Sequence, residues 1–194
     1  MFGQVKYEAM NAHLNSMLER RRVLISAHRG SGGGSIAVNT ELGIRAAFLS
    51  GADLVEIDVS ASVDGEFFCF HDGCEPELLG IEANLQTLTA DEIDRLSYIW
   101  VDRPGRPARV EHLLPLLRKF KDTDTLFNID RSWWRWPNAL MALDGLYMAH
   151  QLLMKCPAWE GAALQRLREF RVKFPFVPIC ATPDDVYRVV NDPQ

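Results

Sequence analysis

Apolar positions recur along the chain in two rhythms. Met10, Leu14, Met17 and Leu18 repeat at helical spacing, which predicts an amphipathic helix near the N-terminus. "RVLISA" is a short continuous apolar run with β-branched residues, which predicts a strand buried on both faces, the parallel-sheet type. "TELGIRAAFLS" reads as a helix capped by Thr40 and stopped by Gly51. "ADLVEIDVSASV" reads as a strand, Asp64-Gly65 as a tight turn, and "EFFCFHD" as the returning hairpin partner.

The alternation continues downstream. "RVEHLLPLLRKF" reads as a helix despite Pro115, "TLFNIDR" as a third parallel-type strand and "NALMALDGLYMA" as a helix. "HQLLMK" follows as a fourth strand, "EGAALQRLREFRVK" as a helix, "PFVPICA" as a fifth strand and "PDDVYRVVND" as a helix opened by proline. Strands alternating with helices predict an α/β fold, a parallel sheet with helices outside it. About five such units fit either a doubly wound sheet or part of a (β/α)8 barrel. A complete barrel takes about 250 residues, so in this chain of 194 residues a barrel is expected to be incomplete, its C-terminal units missing. No repeat, linker or low-complexity tract divides the chain. It is expected to form one domain over 1–194, with a short hairpin and insertion at about 60–110.

Composition narrows the function classes. A content of 47% hydrophobic and 24% charged residues is ordinary for a globular protein, and a net charge of −5 without a basic stripe argues against a nucleic-acid partner. No apolar stretch approaches the roughly 18 residues of a membrane span, and the N-terminus lacks the apolar core of a secretory signal. Cys69, Cys74, Cys156 and Cys180 form no CxxC pair, which suits a reducing cytosol. A cytoplasmic protein acting on a small molecule is expected, its oligomeric state left open.

Polar residues inside the apolar runs carry the chemistry. Glu56 and Asp58 lie two apart on a strand and so share a face, while Val55, Ile57 and Val59 face the covering helices. Alone, that pattern fits a strand with a polar outer face. The hairpin changes this, because pairing about Asp64-Gly65 sets His71 across from Asp58 to within a residue. His28 ends the first strand and Asp130 the third, and parallel α/β folds bind ligands at the carboxyl ends of strands. Each has a mundane role available, a loop histidine or a helix cap. Together, three carboxylates on one rim would repel and raise one another's pKa values unless a hard divalent ion sat among them. Cys69, His71 and Cys74 lack a fourth ligand for zinc, and Ser26 and Ser31 sit on no nucleophile elbow.

The ordered set "HRG", "NT", "GADLVEIDVSASVDGEFFCFHD" and "NID", with "RPARVEHLL" leading into the third strand, resembles the glycerophosphodiester phosphodiesterase family over about 24–131. The resemblance implies a TIM-type barrel with a small insertion after the second strand. It implies metal-dependent hydrolysis of a glycerophosphodiester to an alcohol and glycerol 3-phosphate. Glu56, Asp58 and Asp130 would then ligate Ca2+ or Mg2+. His28 and His71 would form the acid/base pair, Arg29 would contact the phosphate, and Gly30 to Gly34 would let backbone approach the substrate. Val38 stands where the family usually has the glutamate of "ENT", and Asp130-Arg131 replaces a Glu and Lys. Arg131 and Lys155, at the ends of the third and fourth strands, are further candidates for holding the phosphate. Trp133, Trp134 and Trp136 read as loop packing over the rim, with a cationic head group as the alternative partner. A phospholipase D-like lipid phosphodiesterase and a non-catalytic phosphate-binding relative are the rival functions.

Overall fold

A computed structural model describes residues 5–99 and 107–191. Residues 100–106, within the expected insertion, and so the Arg106 that opens "RPARVEHLL", lie outside the described residues.

Five strands run parallel in the order of the chain: β1 (Ser26–Ala27), β2 (Leu54–Ala61), β5 (Leu126–Asp130), β6 (Leu152–Pro157) and β7 (Phe176–Ile179). β1 and β5 flank β2, β6 follows β5, and β7 pairs with β6 alone among the described strands. The sheet is therefore α/β and open, an incomplete (β/α) barrel, as the spacing of the apolar runs predicts. Two short antiparallel strands, β3 (Phe67–Cys69) and β4 (Glu111–His112), extend the carboxyl half of β2.

The helices follow their strands. α2 (Glu41–Leu49), α5 (Leu113–Arg118), α6 (Asn138–Asp144) and α7 (Gly161–Glu169) bury Ile44 and Ala47, Leu113 and Leu116, Leu140 and Leu143, and Ala163. Their partners are the outward residues of the sheet: Val55, Ile57, Val59, Phe127, Ile129, Leu152, Met154 and Cys156. Thr40 caps α2, its side chain accepting from the Gly43 amide, a contact worth about 1 kcal/mol. Pro115 is tolerated because it falls in the first turn of α5, where its missing N–H would have no helical partner.

The opposite face of the sheet is layered. At its amino end Leu54, Leu126 and Leu153 pack against Leu14 and Met17 of α1 (Glu8–Arg21), so the N-terminal helix plugs the bottom of the open barrel. Above that apolar floor the same face carries Glu56, Asn128, Asp58, Asp130 and Lys155. The segment joining β2 to β5 holds α3 (Glu75–Leu79) and α4 (Ala90–Ile93) over a second small core, in which Phe68, Phe70, Leu79, Leu85, Ile93, Tyr98 and Val110 bury Ala37 of the glycine loop.

Two expectations are corrected. "RVLISA" is not buried on both faces: only Ser26 and Ala27 pair, and Ile25 is 60% exposed. β1 pairs only with β2 among the described strands, so its outer side has no neighbour to cover it. The hairpin register is one residue shorter than a two-residue turn sets. Ser62 and Glu66 close a three-residue loop with Gly65 at φ +94°, so Phe70, not His71, lies across from Asp58. Gly30 is held in close approach to α2. A Cβ there would come within 2.7 Å of the Gly43 carbonyl carbon, whereas Gly33 and Gly34 face open space.

Gly30→Ala should therefore cost about 3 kcal/mol or more, strain plus clash. Gly34→Ala should cost about 1 kcal/mol, the left-handed backbone alone. Urea unfolding of the two variants checks this, and equal losses would contradict a close approach of loop and helix at Gly30.

Candidate active site

β2 and β5 are in register from Leu54↔Leu126 to Asp58↔Asp130, so their side chains rise in matched rows. That register brings Glu56, Asp58 and Asp130 together, each offering a carboxylate oxygen within 4.8 Å of the others. Glu56 and Asp58 are 4% and 1% exposed, which rules out a solvated polar face for β2. Burial first, then the hydrogen bond to Asp130 and the charges of Asp58 and Asp130, push the Glu56 carboxyl up to about 8 from an ordinary 4.5. Asp130 is held below its ordinary value: burial opposes this, and hydrogen bonds with Glu56 and Lys155 outweigh it. Both shifts favour a proton on Glu56 rather than on Asp130. An all-oxygen, half-enclosed donor set that must borrow a proton to relieve its own repulsion fits a hard divalent cation.

The turn after β1 closes over this cluster. Arg29, at φ +58°, donates its amide to Glu56 at 3.2 Å and sets its Nε 2.9 Å from Asp58 Oδ2. The Val38 position carries no glutamate, and the Arg29 guanidinium pairs with Asp58 instead. Asn39 fixes that carboxylate from the other side: its Nδ2 donates to Asp58 Oδ2 at 3.0 Å and its Oδ1 accepts the Asp58 amide at 3.2 Å. Asn39 amide also donates to the Arg29 carbonyl at 2.9 Å, closing the loop on itself. His28 is exposed, with a side-chain accessibility of 72%, and its Nε2 lies 3.7 Å from Glu56 Oε2.

The opposite rim carries the remaining candidates. Lys155 sits inside β6 rather than at its end, and its Nζ donates to Asp130 at 2.6 Å and stands 3.5 Å from Glu56. Arg131, at φ +60°, places its NH1 3.3 Å from His71 Nε2 and its guanidinium 4.5 Å over the Trp134 ring. Trp133 and Trp136 are core residues, so only Trp134 of the three is left at the surface. His71 thus contacts Arg131, whose main-chain amide donates to Asp130 at 2.8 Å. Its neighbour Asp72 is buried and accepts from Ser60 and Gln86, and Gln86 accepts in turn from Arg135. Cys69 is a core residue, which removes it from any zinc set.

Sequence reasoning placed every carboxylate of the cluster but passed over two amides. Asn39 was visible only as part of "NT". Asn128, on the same face as Asp130, has a buried Oδ1 without a hydrogen-bond partner. Polar side chains two apart on an apolar strand were the available signal for Asn128, the same that marked Glu56 and Asp58.

An open parallel α/β sheet with an oxygen-ligand cluster at the carboxyl ends of adjacent strands defines a (β/α)-barrel protein with its site in the usual place for that fold. Residues 28–190 match the glycerophosphoryl diester phosphodiesterase family, and the chain belongs to it. Solved structures that share the fold include the following three. A glycerophosphoryl diester phosphodiesterase from Parabacteroides distasonis is 18% identical with a TM-score of 0.68, over 84% of this chain and 56% of that one. A glycerophosphodiester phosphodiesterase from Agrobacterium tumefaciens is 22% identical with a TM-score of 0.62, over 75% and 62%. An Oleispira antarctica phosphodiesterase in complex with the product sn-glycerol-3-phosphate is 19% identical with a TM-score of 0.68, over 87% and 71%. The chain spans less than two thirds of the first two structures' length. No curated protein matches it. No helix among the described residues is long and apolar enough to cross a membrane.

The raised Glu56 pKa carries a pH signature. The native state binds this proton more tightly than the unfolded chain does, so metal-free protein should lose stability as pH rises from 4.5 to about 8. Glu56→Gln should flatten that slope. Melting temperatures of the chelator-treated protein across this range check it, and an unchanged slope in the variant would contradict a proton on Glu56.

Proposed function

We propose that the chain hydrolyses a glycerophosphodiester to an alcohol and glycerol 3-phosphate, with Mg2+ or Ca2+ as cofactor. The convergence of Glu56, Asp58 and Asp130 within 4.8 Å, flanked by His28 and Arg29, carries this reading. Family membership supports it, as does the bound sn-glycerol-3-phosphate of the Oleispira antarctica phosphodiesterase. Residues 1–194 act here as one phosphodiesterase domain, the segment from about 60 to 110 forming an insertion beside the site. Four free cysteines fit a cytoplasmic setting.

Glu56, Asp58 and Asp130 hold the metal ion, which supplies positive charge to the phosphoryl oxygens when bound. Arg29, Arg131 and Lys155 are the cations nearest the cluster. They orient the phosphodiester and offset the negative charge that gathers on it. As the phosphoester bond breaks, one of His28 and His71 takes the proton of the attacking oxygen. The other gives a proton to the departing oxygen, which leaves as a neutral alcohol, while the attacking oxygen stays on phosphorus in the anionic glycerol 3-phosphate. His28 is exposed enough to meet a substrate entering from solvent. His71 Nε2 is held 3.3 Å from Arg131 NH1.

The test is glycerol 3-phosphate release from glycerophosphocholine, glycerophosphoethanolamine and glycerophosphoglycerol, with an acylated lysophospholipid in parallel. Release should require a divalent ion and stop in excess EDTA. His28→Ala and His71→Ala should each lower kcat by about 10²–10⁴-fold with the fold retained. Turnover indifferent to EDTA would overturn the metal assignment, and normal rates in both variants would overturn the acid/base pair. Cleavage of the acylated lipid alone would favour a phospholipase D-like enzyme.

A further inference from the structure

His71, Asp72, Gly73 and Cys74 form a tight turn, closed by the Cys74 amide on the His71 carbonyl at 3.1 Å with Gly73 at φ +94°. The turn folds Cys74 back beneath the imidazole that precedes it. Its Sγ lies 3.4 Å from His71 Nδ1 and 4.0 Å from Arg29 NH1, while Arg131 NH1 lies 3.3 Å from His71 Nε2. Both ring nitrogens are therefore engaged, by groups of opposite preference. A guanidinium only donates, so Nε2 must meet it with a lone pair. A neutral imidazole has one donor and one acceptor, so the proton is then on Nδ1 and points at sulfur. An imidazolium would turn a second N–H against the Arg131 cation.

We infer that Cys74 is a positioning residue for His71. Its sulfur accepts the Nδ1 proton and, with Arg131 on Nε2, holds the ring in the Nδ1–H tautomer with the Nε2 lone pair toward the site. The inference rests on the proposed role of His71 in proton transfer for its catalytic consequence, but the tautomer itself does not depend on it. The other charged groups around the ring leave its two nitrogens to the sulfur and to Arg131. Arg29 approaches the sulfur from the turn after β1, Arg131 comes from the turn after β5, and the adjacent Asp72 carboxylate is occupied by Ser60 and Gln86. When a phosphate draws Arg131 toward itself, Nε2 is freed facing the substrate and Cys74 keeps the ring from turning.

Nitrogen-15 spectra of the full chain labelled in its histidines read the tautomer directly, with His71→Gln identifying the signal. Wild type should show His71 protonated at Nδ1. Arg131→Met alone should keep Nδ1–H through the sulfur, Arg131→Met with Cys74→Ala should move the ring to the Nε2–H form, and Arg131→Met with Cys74→Ser, whose hydroxyl also accepts, should restore Nδ1–H. In turnover of glycerophosphocholine, Cys74→Ala should lower kcat roughly tenfold, a part of what proton transfer supplies, with KM little changed and activity recovered in Cys74→Ser. Nε2–H in wild type, or the same tautomer in Arg131→Met with and without Cys74→Ala, would overturn the inference. The expected spectra without any turnover would leave the positioning role standing and overturn the proposed hydrolysis instead.

Discussion

Three carboxylates that cannot all be charged in one place organise the upper half of this molecule. Glu56, Asp58 and Asp130 are drawn together by strand register, a consequence of backbone hydrogen bonding that takes no account of the charges it juxtaposes. Burial removes the water that would otherwise screen them. What surrounds the cluster is best understood as compensation. Lys155 rises from β6 against Asp130, Arg29 folds over Asp58, and Asn39 holds the same carboxylate by two hydrogen bonds. Even so the repulsion is not fully answered, and Glu56 keeps a proton well above its ordinary range.

The lower half of the molecule makes that arrangement tolerable. Leu54, Leu126 and Leu153, with α1 beneath them, form a dry floor from which the polar rows rise, and the helices grip the outer face of the same strands. The turns after β1 and β5 both place an arginine at positive φ, Arg29 and Arg131. Such backbone is strained for a residue with a side chain and persists only where neighbours hold it. Here the Asn39 amide on the Arg29 carbonyl and the Arg131 amide on Asp130 do so, and each turn aims its guanidinium along the rim. The insertion between β2 and β5 contributes the third wall, delivering His71 and Cys74 on its first turn.

Much of this was legible in the order of residues. Alternating strands and helices gave an α/β sheet, and the two-residue spacing of Glu56 and Asp58 put both on one face. Asp130 and His28 followed from their places at strand ends. What was not legible depended on partners far away in sequence. Nothing local shows that Val23 and Ile25 stand beside an uncovered edge, so "RVLISA" read as a buried strand. Hairpin register turned on whether Val63 belonged to the strand or the loop, a choice settled by the Ser62–Glu66 closure. The contact of Arg131 with the His71 imidazole joins segments some sixty residues apart, and no pattern along the chain announces it.

This acidic cluster fits a cation, and its burial and mutual repulsion favour a proton on Glu56. Calorimetric titration of the metal-free protein with Ca2+ or Mg2+ at neutral pH, repeated in buffers of different ionisation enthalpy, counts the protons released per ion. Binding of one ion should release close to one proton, and Glu56→Gln should abolish the release. Binding with no proton released, or no binding at millimolar metal, would contradict it.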